Sequence, residues 1–329
     1  MTDTSLRVHV GLMKTGSTTL QEHVFTGLPG VEFLNGKDGD KNVKRAIAAI
    51  VKEDQFRFST GRHEAATRAV AARTGREGKR IPLISSEALT IPVVDRTLKA
   101  ERLKQVFGPA RVLIVLRHPV TMLCSLYAEE AKNRGYRLRA IGDVNDWLDE
   151  KWSPVRATSV ARNLEFTRLI GMYEDLFGKL NVTVLFFEDL SGDVRRFAQG
   201  LAEWLGVESV GEIERRLAAK ANPRMGRKQL YAARLSRWQP ALSAVRWVRG
   251  MLPRGLTGSL ESWLSRPVSI RMSSDWTGRI VQFFERENRS IEPGRLERMC
   301  ELGYFEGAAV PPSTHHRGTG WRRGARPGG

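Results

Sequence analysis

The sequence predicts an α/β protein built on a doubly wound parallel sheet flanked by helices, and three features carry that prediction. Val112 to Leu116 is a continuous apolar run, the pattern of a strand covered on both faces. Further short apolar runs recur at 31–35, 81–87 and 182–187, separated by stretches with helical spacing and exposed charges, the alternation of βα units. The first run, which contains Val8 and Val10, ends in Gly11 and passes through a loop into Thr18-Thr19-Leu20-Gln21-Glu22, which can open a helix.

Taken in order, Val31-Glu32-Phe33-Leu34-Asn35 reads as the second strand. Residues 41–53 and 63–75 read as helices, and Ile81-Pro82-Leu83-Ile84-Ser85-Ser86-Glu87 reads as a buried strand with a polar end. After the run at 112–116, Pro119 suits the first turn of a helix. At 143–151, Val144, Trp147 and Leu148 fall at i, i+3 and i+4 and form a core-facing stripe. Residues 160–177 read as one helix ending near Gly178, followed by the strand Val182-Thr183-Val184-Leu185-Phe186-Phe187 and the polar turn Glu188-Asp189-Leu190. Residues 1–310 are expected to form a single domain. Within it, 215–260 is a basic amphipathic segment, a substrate lid, a core-facing helix pair or a face that lies on an anionic membrane. The tail 311–329, rich in Arg, Gly and Pro, lacks periodicity and is expected to be disordered.

The composition narrows the function classes. The 329 residues carry a net charge of +17, and eleven Lys and Arg with no Asp or Glu fall between Arg215 and Leu260. A balance so basic points to anionic partners: nucleic acid, acidic membrane surfaces or polyanionic small molecules. Only Cys124 and Cys300 are present, so no disulfide framework is implied, and a reducing compartment fits. Cys124 reads as a packed thiol rather than a nucleophile. The first strand begins by about Leu6, and no run of 18 apolar residues occurs. The expectation is a soluble, cytoplasmic protein, with peripheral attachment to the inner membrane as the extension of the membrane-surface reading.

Two motifs carry chemistry. In Gly11-Leu12-Met13-Lys14-Thr15-Gly16-Ser17-Thr18-Thr19, a loop at a helix N-terminus gathers backbone N–H groups into an anion site. The nucleotide-triphosphate form G-x-x-x-x-G-K-[ST] places a lysine after its second glycine. Here Ser17 follows Gly16, and the lysine, Lys14, comes two residues earlier. No ammonium is set for a β/γ-phosphate pair, and the loop suits a single phosphate carrying one transferable group. In the second motif, Arg117 ends the strand at 112–116, and Pro119, Ser125 and Tyr127 follow on the next helix. Ligands of open α/β sheets bind beyond the carboxyl ends of the strands. An arginine there and a hydroxyl on the following helix can converge on one phosphate.

The first loop resembles the 5′-phosphosulfate-binding loop of sulfotransferases that use 3′-phosphoadenosine 5′-phosphosulfate (PAPS). The second motif is similar to their 3′-phosphate signature, R-x-P-x-x-x-x-x-S-x-Y. The two stand about 100 residues apart in the family's order, and weaker resemblance extends over 5–306. One departure is Met122, where many relatives carry an arginine. The resemblance implies the P-loop-NTPase-like sulfotransferase fold, with PAPS as co-substrate and no metal. It implies transfer of the sulfuryl group by in-line displacement to a hydroxyl acceptor, a small molecule or glycan, with a carbohydrate or glycolipid expected.

In that reading Lys14 neutralises the bridging oxygen and leaving phosphate. The N–H groups of Thr15, Gly16, Ser17, Thr18 and Thr19 hold the 5′-phosphate, aided by the hydroxyls of Ser17, Thr18 and Thr19. Arg117 and Ser125 take the 3′-phosphate. Arg224 and Arg227, in the basic turn Asn222–Lys228, loosely resemble the loop that closes over it and read equally as a solvated turn. A base for the hydroxyl proton is Glu87, past the strand at 81–85, or Glu32, after the first motif's helix. No specific nucleic-acid partner is expected. The competing readings are a P-loop kinase-like transferase and an inactive basic binding module on the same scaffold.

Overall fold

A computed structural model of the chain describes residues 5–74, 80–91, 95–135, 142–218 and 270–305. Five strands, β1 (Arg7–His9), β2 (Val31–Phe33), β3 (Ile81–Ser85), β4 (Arg111–Leu116) and β5 (Val182–Phe186), form one sheet in the order β2-β3-β1-β4-β5. Every pairing is parallel, with His9 opposite Ser85 and Leu113, and Leu116 opposite Phe186. The doubly wound parallel sheet expected from the apolar runs is therefore the fold's centre.

Alternation along β4 shows why its run is unbroken. Val112, Ile114 and Leu116 join one core cluster, while Leu113 and Val115 join the other, so polar residues are excluded from both faces. The first layer contains α2 (Lys41–Lys52), α3 (Glu64–Ala71), α4 (Arg96–Phe107), α5 (Pro119–Gly135), α6 (Val144–Lys151), α7 (Phe166–Phe177) and α11 (Ser274–Asn288). The second contains α1, which starts at Ser17–Thr19 and continues as a π-helical stretch Leu20–Phe25, with α9 (Val194–Leu205) and α10 (Val210–Ala218). Two further helices, α8 (Phe187–Gly192) and α12 (Pro293–Glu301), complete the described α-helices.

Long cationic side chains close helix ends from inside the core. Arg7 on β1 is fully buried, and its guanidinium donates to Trp204 O at 2.7 Å and Leu205 O at 3.1 Å, the last carbonyls of α9. Arg102 on α4 does the same for α2, donating to Glu53 O at 2.7 Å and Asp54 O at 3.1 Å.

The predicted helix 160–177 is broken. Residues Val160–Leu164 form a 3₁₀ turn and α7 begins at Phe166. Asn288 of α11 fills the break, its Oδ1 accepting from Thr167 N at 2.9 Å and its Nδ2 donating to Leu164 O at 2.8 Å. The segment 215–260 lies outside the described residues from 219 onward, as does the tail 311–329. Among the described residues, no helix is long and apolar enough to cross a membrane.

Candidate active site

From β1 the chain turns toward β2 and β3, whereas from β4 it proceeds to β5. The crevice where these directions diverge lies between β1 and β4, beyond their carboxyl ends, where open α/β sheets take ligands. Both motifs open into it, and they touch: Arg117 Nη1 donates to Lys14 O at 2.7 Å.

The loop after β1 is held from within and from the turn that follows β3. Thr15 is buried and its hydroxyl donates to Leu12 O at 2.7 Å, closing the turn. Thr90 donates to Gly11 O at 2.6 Å. Gly16 stands at the helix N-cap with φ 86°, and no side chain among the described residues caps the helix. The orphan N–H groups of the first turn, and the positive end of the helix dipole, are therefore directed at the crevice. The Ser17 hydroxyl is buried beside the Glu87 carboxylate, whose charged form it favours, in a geometry short of a well-formed hydrogen bond. Thr18 is exposed and Thr19 is buried in the same turn.

Two backbone features explain why this loop admits few residues. A Cβ on Gly16 would stand 3.0 Å from Leu190 and 3.2 Å from Phe187, in a left-handed conformation. Gly16→Ala is thus expected to lose about 1–2 kcal/mol from the left-handed backbone alone. Urea denaturation checks it, with Gly171→Ala, whose Cβ meets open space on α7, expected to be neutral or stabilising. Lys14 also has positive φ, 66°, which is uncommon for a residue with a side chain.

Lys14 Nζ lies 3.5 Å from Glu129 Oε2 on α5, with 30% and 41% of the two side chains exposed. Such a half-solvated pair is weak, so an incoming anion can take the ammonium from the carboxylate. Arg117 is better fixed: Nε donates to Thr121 Oγ1 at 3.3 Å, and the guanidinium lies 4.4 Å from the centroid of the Phe187 ring. Thr121, Ser125 and Glu129 recur at i, i+4 and i+8 on α5, so half-buried Ser125 shares the stripe that meets Arg117 at one end and Lys14 at the other. Tyr127, by contrast, is buried and its hydroxyl donates to Gly142 O at 2.9 Å, a core role.

Glu87 sits on the rim in the 3₁₀ turn Glu87–Leu89 that follows β3. That turn is held from α4, where Lys99 Nζ donates to Ala88 O and Ile91 O, both at 2.8 Å. Burial raises the Glu87 pKa; the Ser17 hydroxyl and Lys14 oppose the shift, and the charge of Glu129 adds to it. Glu87 is thus in electrostatic contact with the first motif, and a Cβ on Gly11 would lie 3.2 Å from Glu87 Cγ and 2.4 Å from Ser17 Oγ. A groove of about 190 Å³ between α2 and this turn is lined by Ile47, Val51 and Lys52, and by Ser86 and Ala88 on either side of Glu87.

Glu32 is placed elsewhere. It pairs with Pro82, three residues before the end of β3, hence about 10 Å below the rim at the usual strand rise. Its carboxylate accepts from Arg73 Nε at 2.8 Å. Strand register thus sets Glu32 apart from Lys14, Ser17 and Glu87, which lie together. Arg224 and Arg227 lie outside the described residues.

Beneath the site, His9 is fully buried with Nδ1 2.7 Å from Ser85 Oγ, and burial drops its pKa to about 3, so it is neutral. Cys124, half-buried, has its pKa pushed up to about 11 by burial, which makes it an inert thiol. Among the described residues, no group of three or more His, Cys, Asp or Glu is arranged to hold a metal ion.

Sequence reasoning missed Glu129, Thr121 and Phe187. The i, i+4, i+8 spacing on α5 could have revealed the first two. The place of Phe187 depends on the pairing of β4 with β5.

No family model matches the chain, and no curated protein matches it. Among solved structures it is similar to a sulfotransferase from Alicyclobacillus acidocaldarius, with 20% identity over 61% of this chain and 81% of that one, at a TM-score of 0.44. It is also similar to mouse sulfotransferase SULT7A1 complexed with PAP, with 11% identity over 91% of this chain and 89% of that one, at a TM-score of 0.43. Likenesses at these levels assign no activity.

Proposed function

We propose that the chain is a PAPS-dependent sulfotransferase acting on a hydroxyl group, with a carbohydrate or glycolipid as acceptor. The observation that carries the reading is the convergence of Lys14 and Arg117, joined through the Lys14 carbonyl, on a helix N-terminus that no side chain among the described residues caps. The residues fit the donor. The first-turn N–H groups face the crevice, the Ser17 hydroxyl is buried beside Glu87, and one cation comes from each of the two motifs.

PAPS would supply the sulfuryl group and leave as 3′-phosphoadenosine 5′-phosphate (PAP). The acceptor oxygen forms the new S–O bond as the bond from sulfur to the 5′-phosphate oxygen breaks. Such a loose displacement depends on position and electrostatics. Lys14 meets the charge that develops on the leaving oxygen. Glu87 takes the acceptor's proton, which its raised pKa suits it to do. The groove lined by Ser86 and Ala88, on either side of Glu87, offers the acceptor an approach to that carboxylate.

Release of PAP from PAPS, measured with a panel of sugar and glycolipid acceptors, tests the reading. Arg117→Ala is expected to raise the KM for PAPS about tenfold or more, the scale of a lost charged hydrogen bond of about 1.5–3 kcal/mol, with a smaller change in kcat. An unchanged KM would separate Arg117 from the 3′-phosphate.

A further inference from the structure

Three segments that are distant in sequence meet behind Arg117. Glu188, the first residue of the polar turn after β5, accepts from the backbone N–H of His118 at 2.9 Å through Oε1 and from the Tyr304 hydroxyl at 2.7 Å through Oε2. The His118 ring returns the contact, with Nε2 2.8 Å from Gly303 O, and its ring packs edge-on to Tyr304 at 5.3 Å. Since a carbonyl only accepts, Nε2 carries the proton. Tyr304 is fully buried among Phe186 and Phe284, and α12 just before it is pinned by an ion pair of Arg298 with Asp189. Phe187, adjacent to Glu188, carries the Arg117 guanidinium on its face.

Within its own segment the turn Arg117–Pro119 is tied at the His118 carbonyl, which accepts from Thr121 Oγ1 at 3.0 Å and from Met122 N at 2.9 Å. Its backbone N–H at His118 is held by the Glu188 carboxylate, which bridges it to Tyr304. We propose that Tyr304 and Glu188 are positioning residues for the nucleotide site: they fix the backbone at His118, and through it the height at which Arg117 meets the ligand's 3′-phosphate. The second half of that statement rests on the PAPS reading; the first half does not. Acting only through Arg117, the Tyr304 hydroxyl has no contact with substrate and no part in proton transfer.

The test uses the full chain and two readouts. Hydrogen exchange of the His118 amide, without nucleotide, reports the turn itself. Calorimetric titration with PAP reports its consequence. Tyr304→Phe keeps the ring in the core and removes only the bridge. Tyr173→Phe is the control, since that buried hydroxyl has no hydrogen-bond partner among the described residues.

Tyr304→Phe is expected to speed exchange at His118 and to raise the PAP Kd, each about tenfold, while Tyr173→Phe moves neither. Glu188→Gln should match it. On an Arg117→Ala background, Tyr304→Phe should add nothing to the loss of PAP affinity, because the two changes act through one group.

Unchanged exchange at His118 would overturn the bridge as a fixed point. Faster exchange with an unchanged Kd, or an additive loss on the Arg117→Ala background, would overturn the positioning role. Failure of the wild type to bind PAP overturns the nucleotide reading, and with it the ligand half of the proposal, while exchange still decides the structural half.

Discussion

Lys14→Ala is expected to lower kcat by about 10²-fold or more, the usual result of removing a donor aimed at charge that develops in the transition state. The expectation is specific because of where the ammonium stands. In the free protein it belongs to a half-exposed pair with Glu129, a weak contact that leaves it available. It is drawn from a loop whose closing hydrogen bonds, Thr15 to Leu12 and Thr90 to Gly11, do not involve its side chain. Alanine therefore removes the charge without releasing the loop. The left-handed backbone at position 14 is equally strained for both side chains.

If Lys14 acts mainly on the leaving oxygen, kcat and kcat/KM fall together and KM for PAPS changes little. Steady-state rates across PAPS concentrations make that distinction. A variant with wild-type kcat would remove Lys14 from the chemistry.

Glu87→Gln is expected to cost about 10²- to 10⁴-fold in kcat, the range for loss of a general base. Its sign with pH is fixed by its surroundings. A base works deprotonated, so activity is lost as pH falls through the folded pKa. Burial has moved that pKa above the carboxylate value of 4.5. The acidic limb of the kcat/KM profile should therefore lie above pH 4.5.

The groups that face Glu87 predict how the limb moves. Ser17 and Lys14 favour its charged form, and Glu129 opposes it. Glu129→Gln should shift the limb to lower pH, and Glu87→Gln should abolish it. A limb that survives Glu87→Gln belongs to another group and would end its assignment as the base.

Much of the fold was legible in the sequence where a single physical cause dominates. Val112 to Leu116 is apolar because both faces of β4 are covered, and that pattern cannot be mistaken for a half-exposed strand. The strand–loop–helix order at 7–21 survives because the loop's glycine, Gly16, is required by its backbone.

Where tertiary contacts decide, the sequence is silent. Helix α4 buries Lys99 and Arg102 on its core side, and their donors reach the carbonyls of the turn at 88–91 and the end of α2, so its apolar stripe is interrupted by charge. The break between 164 and 166 exists because Asn288, from a distant helix, supplies the missing hydrogen bonds.

The site divides in the same way. Lys14, Arg117 and Glu87 follow from local motifs and strand ends. Glu32, the second candidate base after Glu87, lies below the rim by strand register and is paired with Arg73. The Glu188–Tyr304 bridge joins residues too far apart in sequence for spacing to connect them.

The most direct test of the central claim is calorimetric titration of the wild-type chain with PAP, alongside ATP with magnesium and 5′-AMP. Tight binding of PAP that depends on its 3′-phosphate is expected, with weak binding of 5′-AMP and no preference for ATP. Preference for ATP with magnesium, or no nucleotide binding, would contradict it.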